Sequence, residues 1–120
     1  MKLAYKLIDC AKKAKADAVK FQIFNSDYVV TKKAKLAVYA KLNLRTNQSQ
    51  YKILKKLELS QNQHLKLKKY CEKKKITYLC SAFDMPSLEF LKKHKLKIFK
   101  IHVWIVKALW VFSLFFFLKI

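Results

Sequence analysis

The chain contains no glycine in 120 residues, against an average usage of about 7%. That absence excludes glycine-rich phosphate loops, and with them the P-loop and dinucleotide-binding classes. It also removes the residue that most often ends helices at positive φ. Lysine stands where a helix should stop at three places: Lys15 after Cys10–Ala14, Lys75 after Glu72–Lys74, and Lys95 after Lys93–His94. Each such position costs on the order of 1 kcal/mol if the positive φ is kept. Proline occurs once, at Pro86, and arginine once, at Arg45.

Acidic residues are also scarce. There are 7 Asp+Glu against 27 Lys+Arg, for a net charge of +20. Such an excess attracts polyanions without specificity. Specific reading of phosphates and bases usually falls to arginine's planar fork, and here evenly spread lysines replace it. No specific nucleic-acid partner is therefore expected. Cys10, Cys71 and Cys80 form an odd set with no CxxC spacing, which argues for reduced, cytoplasmic thiols and against a disulfide framework or zinc site. Cys10 and Cys71 fall on helical faces and read as core, while Cys80 closes a strand. His64, His94 and His102 share no ligand spacing, so no metal ligand and no catalytic residue is assigned.

What the chain does have is a series of short apolar strands that each end in polar groups. Ala18–Gln22 closes on Lys20 and Gln22, Ile76–Cys80 runs into Ser81–Asp84, and Ile98–Ile101 carries Lys100. Lys20 and Gln22, two apart, share one strand face, with Val19 and Phe21 on the other. Amphipathic helices are expected between the strands. One covers roughly the first 14 residues, from Leu3, Leu7, Ile8, Ala11 and Ala14 at helical spacing. Another covers 50–57, and a third is opened by a Ser60/Gln63 capping box and runs to about Lys74. A further helix begins at Pro86 with Asp84 as its N-cap. The connection from Ile23 to Ser49 is long, with a short helix expected around Ala34–Lys41. Parallel strand–helix repeats collect ligand-binding groups at the carboxyl ends of their strands, and two lysines with a glutamine suit an anionic small molecule there.

The character changes at Val103. Residues 1–102 read as one α/β unit, and 103–120 as an apolar tail broken only by Lys107 and Ser113 before Leu118. The tail has two readings: a segment translated out of frame, or a membrane anchor at 103–118 with tryptophan and lysine near its ends. The second makes the chain a small basic membrane-associated protein. A signal peptide is not expected, because the basic start lacks a long apolar region and a small-residue cleavage site.

The strings Ala4–Asp9, Ala16–Gln22, Ser49–Tyr51, Leu54–Ser60, Tyr70–Lys74, Ser81–Asp84 and Lys97–Ile101 together resemble the sialic acid synthase family, which includes the N-acetylneuraminic, legionaminic and pseudaminic acid synthases. Order and spacing hold from about residue 3 to residue 101. The resemblance implies a partial TIM-type (β/α) barrel, covering about strands two to four. It implies a parent reaction condensing phosphoenolpyruvate with an N-acetylated, mannosamine-type amino sugar to a nonulosonic acid, with a divalent metal, manganese or magnesium, in a homodimeric cytoplasmic enzyme. By the same resemblance Lys20 and Lys100 contact phosphoenolpyruvate and Gln22 lies beside metal and substrates. Ser81 and Phe83 line the pocket, and Asn43, with Tyr39 as a second match, falls on the sugar side. The chain departs from the family pattern in several places. The family's first strand with its Asn-His-Asn-Gly stretch is absent, and His102–Ile105 stands where a Ser-Gly-Glu motif is expected. The metal-ligating histidines of later strands are missing, and lysine replaces the helix-ending glycines. A fragment inactive by itself is the expectation.

Overall fold

A computed structural model describes residues 1–96 and 99–101 of the chain. The order of elements is α1 (Lys2–Lys13), β1 (Ala18–Ile23), α2 (Ser26–Val29), α3 (Val38–Leu44), α4 (Gln50–Leu57), α5 (Gln61–Lys73), β2 (Thr77–Ala82), α6 (Met85–Lys93) and β3 (Phe99–Ile101). The strands form one sheet in the order β1-β2-β3, with both pairs parallel. Both joins between neighbours are long crossovers carrying helices, as parallel pairing requires. The apolar tail, including the 103–118 span, lies outside the described residues, and no helix among those described is long and apolar enough to cross a membrane.

Alternation along the strands decides which face meets the helices. Ile23, Cys80 and Ala82 are buried with Leu88, Phe90, Leu91 and Leu96 of the α6 region. A second cluster joins Ile8 of α1 to Leu67, Cys71 and Ile76, with Val19, Phe21 and Tyr78 packed against it. The Phe21 and Tyr78 rings stack at 5.8 Å across β1 and β2. Each large apolar side chain so buried contributes roughly 1.5–3 kcal/mol. Tyr70 of α5 donates its hydroxyl hydrogen to Asp9 of α1 at 3.0 Å, and Lys74 pairs with the same carboxylate at 2.7 Å.

The helix ends follow the sequence closely. Ser60 and Gln63 close a reciprocal capping box on α5, and Asp84 caps α6 with Pro86 in its first turn. Lys15, Lys75 and Lys95 have φ of 57°, 53° and 47°. At each, two amides turn back into the helix: Lys15 to Lys12 and Ala16 to Ala11, Lys75 to Glu72 and Ile76 to Cys71, Lys95 to Lys92 and Leu96 to Leu91. These are three Schellman closures with lysine in the left-handed position that glycine normally takes. The apolar contacts made by Ile76 and Leu96 in the two clusters hold the second and third closures in place.

Three expectations are corrected. Strand β2 begins one residue later and continues through Ala82, so Ser81 lies within the strand rather than after it. The short helix expected at Ala34–Lys41 is displaced to Val38–Leu44 and lacks a side-chain cap; Arg45, at φ 46°, closes it. Cys10 is exposed, not core, because Ile8 is the one fully buried residue of α1 and Ala4 and Ala11 supply the rest of its packed face.

Candidate functional site

The carboxyl ends of the strands bring three of the expected residues into register. Gln22 pairs with Ser81, and Ser81 with Lys100. Each is the penultimate residue of its strand, so the three occupy one row across the sheet. Lys20 pairs with Leu79, two residues toward the amino end. Lys20 and Gln22 are both exposed, whereas Val19 and Phe21 between and beside them are half-buried against helices and Ile23 is buried. Strand periodicity thus sorts one face for packing and the other for solvent. Ser81 is buried in the middle strand.

Above Gln22 lies a cavity of about 450 Å³. Its walls come from the β1–α2 segment (Gln22, Phe24, Tyr28, Val29), from α4 (Gln50, Leu54) and from Phe83 after β2. It is mostly apolar, with two carboxamides. Of the residues expected at a site, Gln22 and Phe83 line this cavity and Ser81 stands beside Gln22. Lys20 and Lys100 are placed on the sheet by register. Asn43 stands exposed on α3, away from the cavity walls, and the side chain of Tyr39 lies outside the described residues.

Acidic groups fasten the cavity's surroundings. Asp84 Oδ1 accepts from the Ser87 amide at 2.8 Å, and its Oδ2 accepts from the Asn25 amide at 2.7 Å. Glu58 Oε2 accepts from both the amide and the hydroxyl of Ser26, at 3.0 and 2.7 Å. Lys55 bridges Glu58 and Asp27, and the Tyr51 hydroxyl donates to Asp27 at 2.8 Å. Burial works against the Glu58 charge, but the Ser26 donors and Lys55 outweigh it and hold its carboxyl below the usual carboxylate range. The Tyr51 hydroxyl, then Lys55, does the same for Asp27. The sequence alone gave no role to Glu58; the one available signal was a carboxylate in a chain with so few.

The remaining titratable groups point to structure. His64 is fully buried, with Nδ1 2.7 Å from the Tyr78 hydroxyl and Nε2 without a partner among the described residues. Burial pushes its imidazole down to about 4. Burial also pushes the Cys71 and Cys80 thiols up to about 11, which leaves them protonated and unreactive. His94 ends α6 with its ring 4.6 Å from that of Phe90, and His102 lies outside the described residues. No group of three or more His, Cys, Asp or Glu placed to hold a metal ion occurs among the described residues.

A parallel sheet with helices on one face and a polar row at its carboxyl ends defines an α/β protein. Residues 7–109 match the NeuB family, and the chain belongs to that family. It is 40% identical over 91 residues to the N,N'-diacetyllegionaminic acid synthase of Legionella pneumophila, covering 76% of this chain and 26% of that protein. It is 39% identical over 101 residues to the enzyme of the same name from Campylobacter jejuni, covering 84% and 30%. Among solved structures, the N-acetylneuraminic acid synthetase of Leptospira borgpetersenii, crystallised with citrate, superposes with a TM-score of 0.63 at 32% identity, over 83% of this chain and 30% of that one. The chain spans less than a third of the length of these relatives.

Proposed function

We propose that this chain is the substrate-end segment of a nonulosonic acid synthase barrel, and that by itself it does not complete the reaction. The parent reaction joins phosphoenolpyruvate to an N-acetylated, mannosamine-type sugar. The observation that carries this reading is the row Gln22–Ser81–Lys100 at the carboxyl ends of a family-matched parallel sheet. In a closed TIM-type barrel that face points inward, where ligand groups gather. Lys20 and Lys100 supply two cations for a phosphate and a carboxylate, a match that low dielectric strengthens. Gln22 and Phe83 reach the cavity that takes the sugar. Asn43, exposed on α3, has no part in this assignment.

Inactivity of the isolated chain follows from exposure. Lys20 and Gln22 stand in solvent, where attraction between charges falls to about 1 kcal/mol at 4 Å. A divalent metal, manganese or magnesium, serves the parent reaction by polarising the acceptor carbonyl. The described residues do not fit such a group: His64 is packed against Tyr78, Asp84 and Glu58 are engaged in structural hydrogen bonds, and no three His, Cys, Asp or Glu among the described residues are placed to hold an ion. No step is assigned to a metal here. The buried free thiols fit a reducing, cytoplasmic setting.

The test is direct. The purified full chain, given phosphoenolpyruvate, N-acetylmannosamine and Mn²⁺, is expected to release no phosphate above the protein-free control. Steady turnover abolished by Lys20→Ala would show a complete enzyme and overturn the fragment reading.

A further inference from the structure

Three of the chain's seven acidic residues converge on residues 25–27. Asp27 lies in that stretch, Asp84 accepts from the Asn25 amide, and Glu58 accepts twice from Ser26. In a chain carrying 27 basic groups, free carboxylates have abundant cationic partners on the surface. Glu58, besides its ion pair with Lys55, and Asp84, besides capping α6 through the Ser87 amide, both accept from donors where β1 leads into α2. Ser26 is fully buried and Asp84 is 6% exposed, so these bonds form where water competes poorly and each is strong. The bonds join the three walls of the cavity. Asp84 ties the β2–α6 segment, next to Phe83, to the β1–α2 loop. Glu58, at the end of α4, ties the helix carrying Gln50 and Leu54 to the same loop. Phe24, Tyr28 and Val29 flank the tied residues and form the third wall.

We infer that Glu58 and Asp84 are positioning residues, a two-carboxylate latch that sets the Phe24–Val29 wall and so governs the affinity of the cavity for its ligand. Neither lines the cavity. Their action is indirect, through the Ser26 and Asn25 donors, and this rests on the reading of the cavity as the sugar side of the site. The latch makes a local claim. Loss of Glu58 frees the wall while the sheet beneath keeps its own ladder and core.

Hydrogen exchange read by mass spectrometry on the full chain separates the possibilities. Glu58→Ala is expected to speed exchange across residues 24–30 by tenfold or more, with residues 77–82 unchanged. Glu58→Gln, which keeps an acceptor oxygen, is expected to restore much of the protection, and Ser26→Ala to reproduce part of its loss. N-acetylmannosamine at millimolar concentration is expected to slow exchange at 24–30 in the parent chain and not in Glu58→Ala. Unchanged exchange in Glu58→Ala, or a rise spread equally over the chain, overturns the latch. If Glu58→Ala fails to fold, the Gln and Ser26→Ala variants decide by the same local pattern. Local loosening without any sugar protection in the parent chain would leave the latch standing and remove the sugar assignment.

Discussion

The two faces of the sheet are built from alternate residues of the same strands, yet they answer to different demands. On one face Ile23, Cys80 and Ala82 are buried under helices, with Val19, Phe21 and Tyr78 beside them. On the other, Lys20 and Gln22 lie open to solvent and Ser81 sits beside Gln22. The first face holds the fold together. On the second, Lys20 and Gln22 contribute little to stability, because charged and amide groups in water gain little from being ordered. Packing and the proposed ligand face are thus separable here by residue parity along a strand, and substitutions should divide the same way.

The largest expected effect is on the packed face. Leu67→Ala and Leu91→Ala each remove a fully buried side chain and should cost about 2–5 kcal/mol, visible as loss of a cooperative thermal transition by circular dichroism. Acidification should act on the same face through His64. Its folded imidazole is held near 4, below its ordinary 6.5, so the unfolded chain binds the extra proton between those values. Stability is full above pH 6.5 and should fall by on the order of 3 kcal/mol as pH drops toward 4. A His64→Leu chain should show a flatter profile over that window in denaturant titrations. The carboxylates Asp9, Asp27 and Glu58 are held below their usual range, so what they contribute is lost at still lower pH.

The helix closures sharpen the contrast in the stabilising direction. Lys15→Gly, Lys75→Gly and Lys95→Gly each relieve a left-handed lysine and should add about 1 kcal/mol, additive across the three well-separated sites. A triple variant melting no higher than the parent would contradict the positive φ values. At the small end, Lys20→Ala and Gln22→Ala should shift stability by no more than about 0.5 kcal/mol. A large loss from either would mean that the open face carries packing it is not seen to carry.

Much of this was legible in the sequence because local rules and tertiary structure agree. The Ser60/Gln63 box, the Asp84 cap and the lysine-for-glycine closures are short-range motifs, and all of them formed. The Lys20/Gln22 face follows from strand period alone. What escaped the sequence depended on partners far along the chain. Cys10 looked apolar enough for a core, but α1 packs through Ile8, Ala4 and Ala11. Helix α3 has no side-chain cap to fix its start, so its position moved. Glu58 meets Ser26 across 32 residues, and no periodicity announces such a bond. The cavity likewise needs α4 brought over the end of β1. The strand ends and the family resemblance both pointed to the row residues, and the register shows how they lie side by side.

The most direct test places residues 3–101 of this chain into the Campylobacter relative in place of its matching segment. The proposed placing of Lys20 at the substrate end predicts that the chimera makes N,N'-diacetyllegionaminic acid at a measurable rate. It further predicts that Lys20→Ala lowers that rate a hundredfold or more with an unchanged melting temperature. A folded chimera whose rate is indifferent to Lys20→Ala would contradict the account.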